Sequence, residues 1–68
     1  MIYTAELSIN RNGRCISVTD VDVCAENVSE AENKAKKRAR EIERSLKRDQ
    51  KRYDWFVCID ELYSEIDC

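Results

Sequence analysis

The sequence predicts an α+β domain of β-β-α-β order, a mainly antiparallel three-stranded sheet with one long helix packed on one face. Three observations predict it. Asn12-Gly13 sits between two apolar runs, the strongest short signal for a two-residue hairpin. Ala31, Ala35, Ala39, Ile42 and Leu46 recur at helical spacing, which marks one buried stripe. "YDWFVCIDELY" (53–63) then alternates apolar residues at strand period.

The first strand lies in residues 2–10, where Tyr3, Ala5, Leu7 and Ile9 share one parity and Thr4, Glu6, Ser8 and Asn10 the other. The second runs to about residue 25, so the hairpin spans 2–25. Its pattern slips: Ile16 and Val18 share one parity, Val21, Val23 and Ala25 the other. Pairing across Asn12-Gly13 sets Ile9 against Ile16 and Leu7 against Val18. Strict register would then bury Asp20 and Asp22. One extra residue near 19–20 restores Ala5–Val21 and Tyr3–Val23, so a β-bulge is expected there.

Ser29 followed by Glu32 reads as a capping box, which starts a helix at about residue 30. Nothing in the sequence stops it before about residue 50, and Tyr53 continues the stripe if it lasts. The last strand is expected over about 54–63, with Trp55, Val57 and Ile59 on one face and Phe56 and Cys58 on the other. The tail "SEIDC" would extend or fray it. A right-handed crossover can set this strand beside the first, giving order 2-1-3, all antiparallel. That order is favoured over a parallel pairing with the second strand, because antiparallel pairs are commoner.

The chain has 68 residues, which makes one domain, 1–68, with a small core. It contains one Gly, no Pro and no His, so chemistry that needs imidazole is excluded. No Gly-rich phosphate loop is present. Asp20/Asp22 and Asp60-Glu61 are pairs of acids without further ligands and read as the rim of a sheet. The expectation is a protein that is not an enzyme, with no cofactor and no metal. Cys15, Cys24, Cys58 and Cys68 are spaced by 9, 34 and 10 residues, unlike the close pairs of zinc sites. Free thiols are expected, with Cys24–Cys58 the pairing to consider under oxidation. The N-terminus lacks a basic start and an apolar core, and no run approaches the roughly 18 apolar residues of a membrane span. A cytoplasmic protein without a membrane partner is expected.

Charge is the most distinctive feature. Residues 34–52, "KAKKRAREIERSLKRDQKR", carry ten positive and three negative charges, net +7, while the rest carries two positive and eleven negative, net -9. Opposite the alanine stripe fall Lys37, Arg40, Arg44, Arg48 and Lys51, with Lys36 and Lys47 on one flank. Lys36, Arg40, Arg44 and Arg48 form an i, i+4 ladder of like charge, which costs a few tenths of a kcal/mol per contact. Lys37, Arg40, Arg44, Lys47, Arg48 and Lys51 are therefore the candidate partner-binding residues. Nucleic acid is one candidate partner. Against it stand an overall pI near 5.1, the absence of aromatics among the cations, and the absence of a helix-turn-helix or RNP motif. The uncovered sheet face would present Ile2, Cys15, Ser17, Cys24, Phe56 and Cys58, with Thr4 and Glu6. Of these, Ile2, Cys24, Phe56 and Cys58 are the candidate second interface, for a partner or a homodimer.

The stretch "GRCISVTDVDVCAENVSEAENKAKKRA" resembles the strand–strand–helix opening of HicB-type antitoxins, although the Pro-Asp-x-Pro-Gly segment of that family is lacking. In size, in β-β-α-β order and in the passage "VCAENVSEAENKA", the chain resembles small phage and mobile-element accessory proteins of the anti-CRISPR type. That resemblance implies a phage-encoded stoichiometric inhibitor that covers a nucleic-acid channel or blocks assembly, acting in the host cytoplasm. The function expected from the sequence is therefore a protein-binding module of this kind. A small nucleic-acid-binding protein and a structural homodimer are the alternatives.

Overall fold

A computed structural model describes residues 1–64 of the chain. Residues 65–68, with Cys68 and most of the acidic tail, lie outside the described residues. The elements are β1 (Ile2–Arg11), β2 (Arg14–Cys24), α1 (Val28–Asp49) and β3 (Trp55–Ser64). The sheet has order β2-β1-β3, and both pairings are antiparallel, as the sequence predicts. The molecule is elongated, 43 × 17 × 15 Å. Its radius of gyration is 12.8 Å, against about 11 Å for a round domain of this length.

The hairpin turns where Asn12-Gly13 requires it. Asn12 has φ 53° and Gly13 φ 81°, the left-handed pair of a type I′ turn. The expected bulge is present and yields Ala5–Val21 and Tyr3–Val23, but its place is different. Ile9 pairs with Ser17 and Asn10 with Cys15, so the extra residue is Ile16 and not one at 19–20. The expected pairs Ile9–Ile16 and Leu7–Val18 are replaced by Ile9–Ser17 and Leu7–Thr19. The cause lies in where the helix sits. The cleft between α1 and β2 is lined on the β2 side by Asp22, Val23 and Cys24 only. The half of β2 nearer the turn is outside the helix footprint, so burial gives Ile16 and Val18 no reason to face inward. They are 43% and 53% exposed.

A second bulge breaks β3, where Leu7 pairs with Ile59 but Glu6 with Glu61. Asp60 is the extra residue. It lets Val57, Ile59 and then Leu62 all point to the helix, and Leu62 packs against both core clusters.

The helix begins at Val28, earlier than expected, and its cap is Asn27 and not Ser29. Asn27 Oδ1 accepts from the Glu30 amide at 2.8 Å, and the Glu30 carboxylate accepts from the Glu26 amide at 2.8 Å. Both Asn-x-x-Glu and Ser-x-x-Glu fit a capping box. Only three residues join β2 to α1, and the N-H of the first, Ala25, is tied to the Met1 carbonyl at 3.0 Å. The chain takes the earlier cap as soon as it leaves that bond.

Ala31, Ala35 and Ala39 are buried against the sheet. One core cluster joins Ala35 and Ala39 to Ala5, Leu7 and Val57; the other joins Ala31 to Tyr3, Val23 and Ala25. Methyl-sized contacts let the helix axis approach the strands closely. Past the helix, Gln50 returns its N–H to the Leu46 carbonyl at 2.8 Å. Its own carbonyl accepts from Trp55 Nε1 at 3.0 Å. Tyr53 therefore lies in the connecting loop and does not continue the helical stripe.

A larger side chain at the centre of the stripe must push helix and sheet apart. Ala35→Leu is expected to lower stability by about 1–3 kcal/mol, while Lys37→Leu on the exposed side changes it by less than about 0.5 kcal/mol. Urea unfolding checks this, as a lower midpoint with an unchanged slope for Ala35→Leu alone.

Candidate functional site

Residues paired directly across strands share a face, so the register fixes the chemistry of the face that the helix leaves open. Crosswise rows can be read along it: Cys24–Ile2; then Asp22–Thr4–Tyr63; Asp20–Glu6–Glu61; Val18–Ser8–Cys58; and Cys15–Asn10–Phe56. Ser17, expected here, lies instead on the helix side, and Val18 takes the place because the bulge sits at Ile16. The middle row sets three carboxylates side by side. Like charges directly opposite each other destabilise a sheet, so this row costs folding energy.

Thr4 and Ser8 are buried at the centre of this face, 3% and 6% exposed, because β1 is flanked on both sides. Thr4 Oγ1 donates to Asp22 Oδ1 at 2.9 Å, and Ser8 Oγ donates to Asp60 Oδ2. The Asp60 bulge thus swings a carboxylate over β1. Asn10 Nδ2 donates to the Phe56 carbonyl at 3.2 Å. Asp20, Asp22, Glu6, Asp60 and Glu61 make the open face acidic.

The four residues expected to form a second interface are not contiguous. Ile2, Cys24, Phe56 and Cys58 all lie on the open face, but Ile2/Cys24 and Phe56/Cys58 sit towards opposite ends with the carboxylate rows between them. They do not join into one apolar seam. Cys15, Cys24 and Cys58 are free thiols. A Cys24–Cys58 bridge is out of reach, because β1 separates their strands by roughly 9–10 Å and a disulfide needs Cα atoms within about 7 Å. Among the described residues no group of three or more cysteines and acids is arranged to hold a metal, and no helix is long and apolar enough to cross a membrane.

The helix carries the opposite sign. Lys37, Arg40 and Arg44 are exposed on its outer side. Lys47 pairs with Glu43 at 3.2 Å, and Arg48 with Asp49 at 3.5 Å. Lys51 lies beyond the last helical residue and belongs to the loop.

From the sequence Glu43 is expected only to pair with Lys47 at i, i+4, as it does, and is not among the candidate binding residues. It faces β3, one of the two edge strands, and its Oε1 accepts from the Val57 amide at 3.0 Å. An outward amide on a sheet edge is a template for pairing with another strand, and Glu43 occupies it. That bond, with Lys47 and Arg40 nearby, holds the Glu43 carboxyl below the usual glutamate range, against partial burial that raises it. The clue in the sequence was a carboxylate on the flank of the stripe, but only the helix's lean towards β3 gives it a partner. Beside it runs a groove of about 580 Å³ between α1 and β3, with Lys36 and Arg40 on one wall and residues 56–62 on the other.

No protein-family model, no curated protein and no solved structure matches this chain. The reading of function therefore rests on its own surface.

A group whose native pKa is depressed adds stability above its unfolded pKa and loses it as pH falls through the native one. Wild type is expected to be more stable than Glu43→Gln at neutral pH. The gap should close as pH drops through and below the ordinary glutamate range. Thermal unfolding of both proteins from pH 7 to pH 3 measures it, and a gap that does not change with pH would remove the charge on Glu43 from the account.

Proposed function

We propose that this chain is a non-enzymatic binding module for a protein partner, and that it works as a stoichiometric inhibitor of a nucleoprotein complex. The observation that supports this is the segregation of charge onto opposite sides of one small sheet-and-helix layer. Lys37, Arg40 and Arg44 stand on the outer side of α1, and Asp20, Glu6 and Glu61 stand in a row on the open sheet face. A surface evolved only for solubility mixes the two signs. Here the i, i+4 cations on the helix and the side-by-side carboxylates on the sheet both work against folding. Such costs are offset when an oppositely charged surface covers them.

In this reading the acidic sheet face enters a basic groove of the target, of the kind that holds nucleic acid, and the helix meets an acidic patch beside it. Long-range charge would steer the encounter and fix the orientation. The resemblance to anti-CRISPR-type accessory proteins in size and element order agrees with a target that is a host defence complex. Phe56, 59% exposed at one end of the open face, would add an apolar contact at the rim.

Immobilised protein and a nuclease-treated host lysate test the reading. Arg40→Glu/Arg44→Glu is expected to weaken capture of the specific partner at least tenfold. Glu6→Lys/Asp20→Lys is expected to do the same, and the partner should elute in a fixed ratio to the bait. Capture that survives both charge reversals would sink the proposal.

A further inference from the structure

The chain has only two cations outside residues 34–52, Arg11 and Arg14. Both land at the end of the molecule where the helix stops. Arg11 and Arg14 face each other across the hairpin next to the turn, a like-charge pair that weakens the ladder. Arg48 comes from the last turn of α1, and Lys51 and Arg52 from the loop that follows. These five cations outnumber the acids Asp49 and Asp54 in the same region.

The end is braced. The Asn12 amide donates to the Asp54 carbonyl at 2.8 Å, and the Asp54 amide donates to Asn12 Oδ1 at 2.9 Å. The Arg11 guanidinium lies 4.8 Å from the centre of the Tyr53 ring. Tyr53 in turn meets Trp55 edge-on at 6.0 Å. The guanidinium is thus held in place before any ligand arrives. One open cleft runs along residues 48–53 and another along Arg11, Asn12, Arg14 and Ile16. The negative end of the helix dipole favours cations here, but it does not explain why the hairpin adds two more.

We propose that this basic end, Arg11, Arg14, Arg48, Lys51 and Arg52 around Tyr53, binds the phosphodiester backbone of a single strand of nucleic acid, which continues up the helix over Arg44 and Arg40. Four of the five cations are arginines, whose planar forks match phosphate oxygens two at a time. From Arg48 to Arg44 to Arg40 the track rises by about 6 Å per step, on the scale of successive phosphates. The track also turns a corner, from the 15–17 Å wide end onto the long side of the molecule. A duplex, stiff over about 50 nm, does not follow such a corner; a single strand does.

The acidic balance of the whole chain does not oppose this. Charges are screened over about 8 Å at physiological salt, whereas the molecule is 43 Å long. The acids Glu26, Glu30 and Glu32 lie at the far end of α1, and the carboxylate rows lie on the other face of the sheet. Nor is the site bare of aromatics: Tyr53 follows Lys51 and Arg52 in the chain, and folding sets Arg11 over its ring. This inference shares Arg40 and Arg44 with the protein-partner reading but does not need it, because it rests on the hairpin cations Arg11 and Arg14.

Fluorescence anisotropy with a labelled oligothymidine, across a salt series, is the test. Arg11→Gln/Arg14→Gln is expected to weaken binding at least tenfold at low salt and to reduce the log–log salt slope by about 1.4, as two lost phosphate contacts require. Arg14→Gln/Arg52→Gln, which leaves the Arg11–Tyr53 contact in place, should give the same change in slope. A matched duplex should bind more weakly. An unchanged slope in both variants, equal binding of the duplex, or no binding at low salt would each overturn the proposal.

Discussion

The close contact between three alanines and a three-stranded sheet governs the rest of the molecule. Ala31, Ala35 and Ala39 are at most 5% exposed, and on the helix side nothing longer than a methyl group enters that part of the core, which the strands fill with Tyr3, Leu7, Val23 and Val57. One helix covers only one face of the sheet, so the other face stays open whatever its sequence. The closeness also fixes how the helix lies. Its cleft against β2 is lined by Asp22–Cys24, with Val21 packed into the core beneath, and its groove against β3 runs along residues 56–62. From that lean comes the Glu43 bond to the β3 edge, while the β1–β3 pairing, continued by Asn12 and Asp54, brings the loop after the helix to the hairpin turn.

Register sets the second constraint. Each bulge inserts one residue and so exchanges the faces of everything beyond it. The bulge at Ile16 brings Val21 and Val23 inward, and the one at Asp60 does the same for Leu62. The same two insertions align Asp20, Glu6 and Glu61 in one row and lay Asp60 over Ser8. The acidity of the open face is therefore a product of register, and composition alone would not have placed those side chains together.

Much of the fold was legible. The Asn12-Gly13 turn, the alanine stripe and the strand order follow from local signals that tertiary structure does not override. The need for a bulge in β2 was legible too, from the parity change between Val18 and Val21. Its position was not, because any insertion before Val21 gives the same core and only the helix footprint decides among them. The Asp60 bulge had a signal of the same kind, since Leu62 is out of parity with Val57 and Ile59. The cap slipped by two residues because two capping boxes overlap. The cations of the helix were visible at once. Their union with Arg11 and Arg14 was not, because it depends on Asn12 and Asp54 meeting across 42 residues of chain.

The central claim is that the two charged regions act as separate binding surfaces on one small domain. Amide chemical shifts of the nitrogen-15-labelled protein, followed in one titration with oligolysine and in another with dextran sulfate, test it most directly. The account predicts two sets of perturbed amides that do not overlap: Glu6, Asp20, Asp22 and residues 60–61 with the polycation, and residues 11–14 and 40–52 with the polyanion. The same amides moving in both titrations, or shifts spread evenly over the sequence, would contradict it.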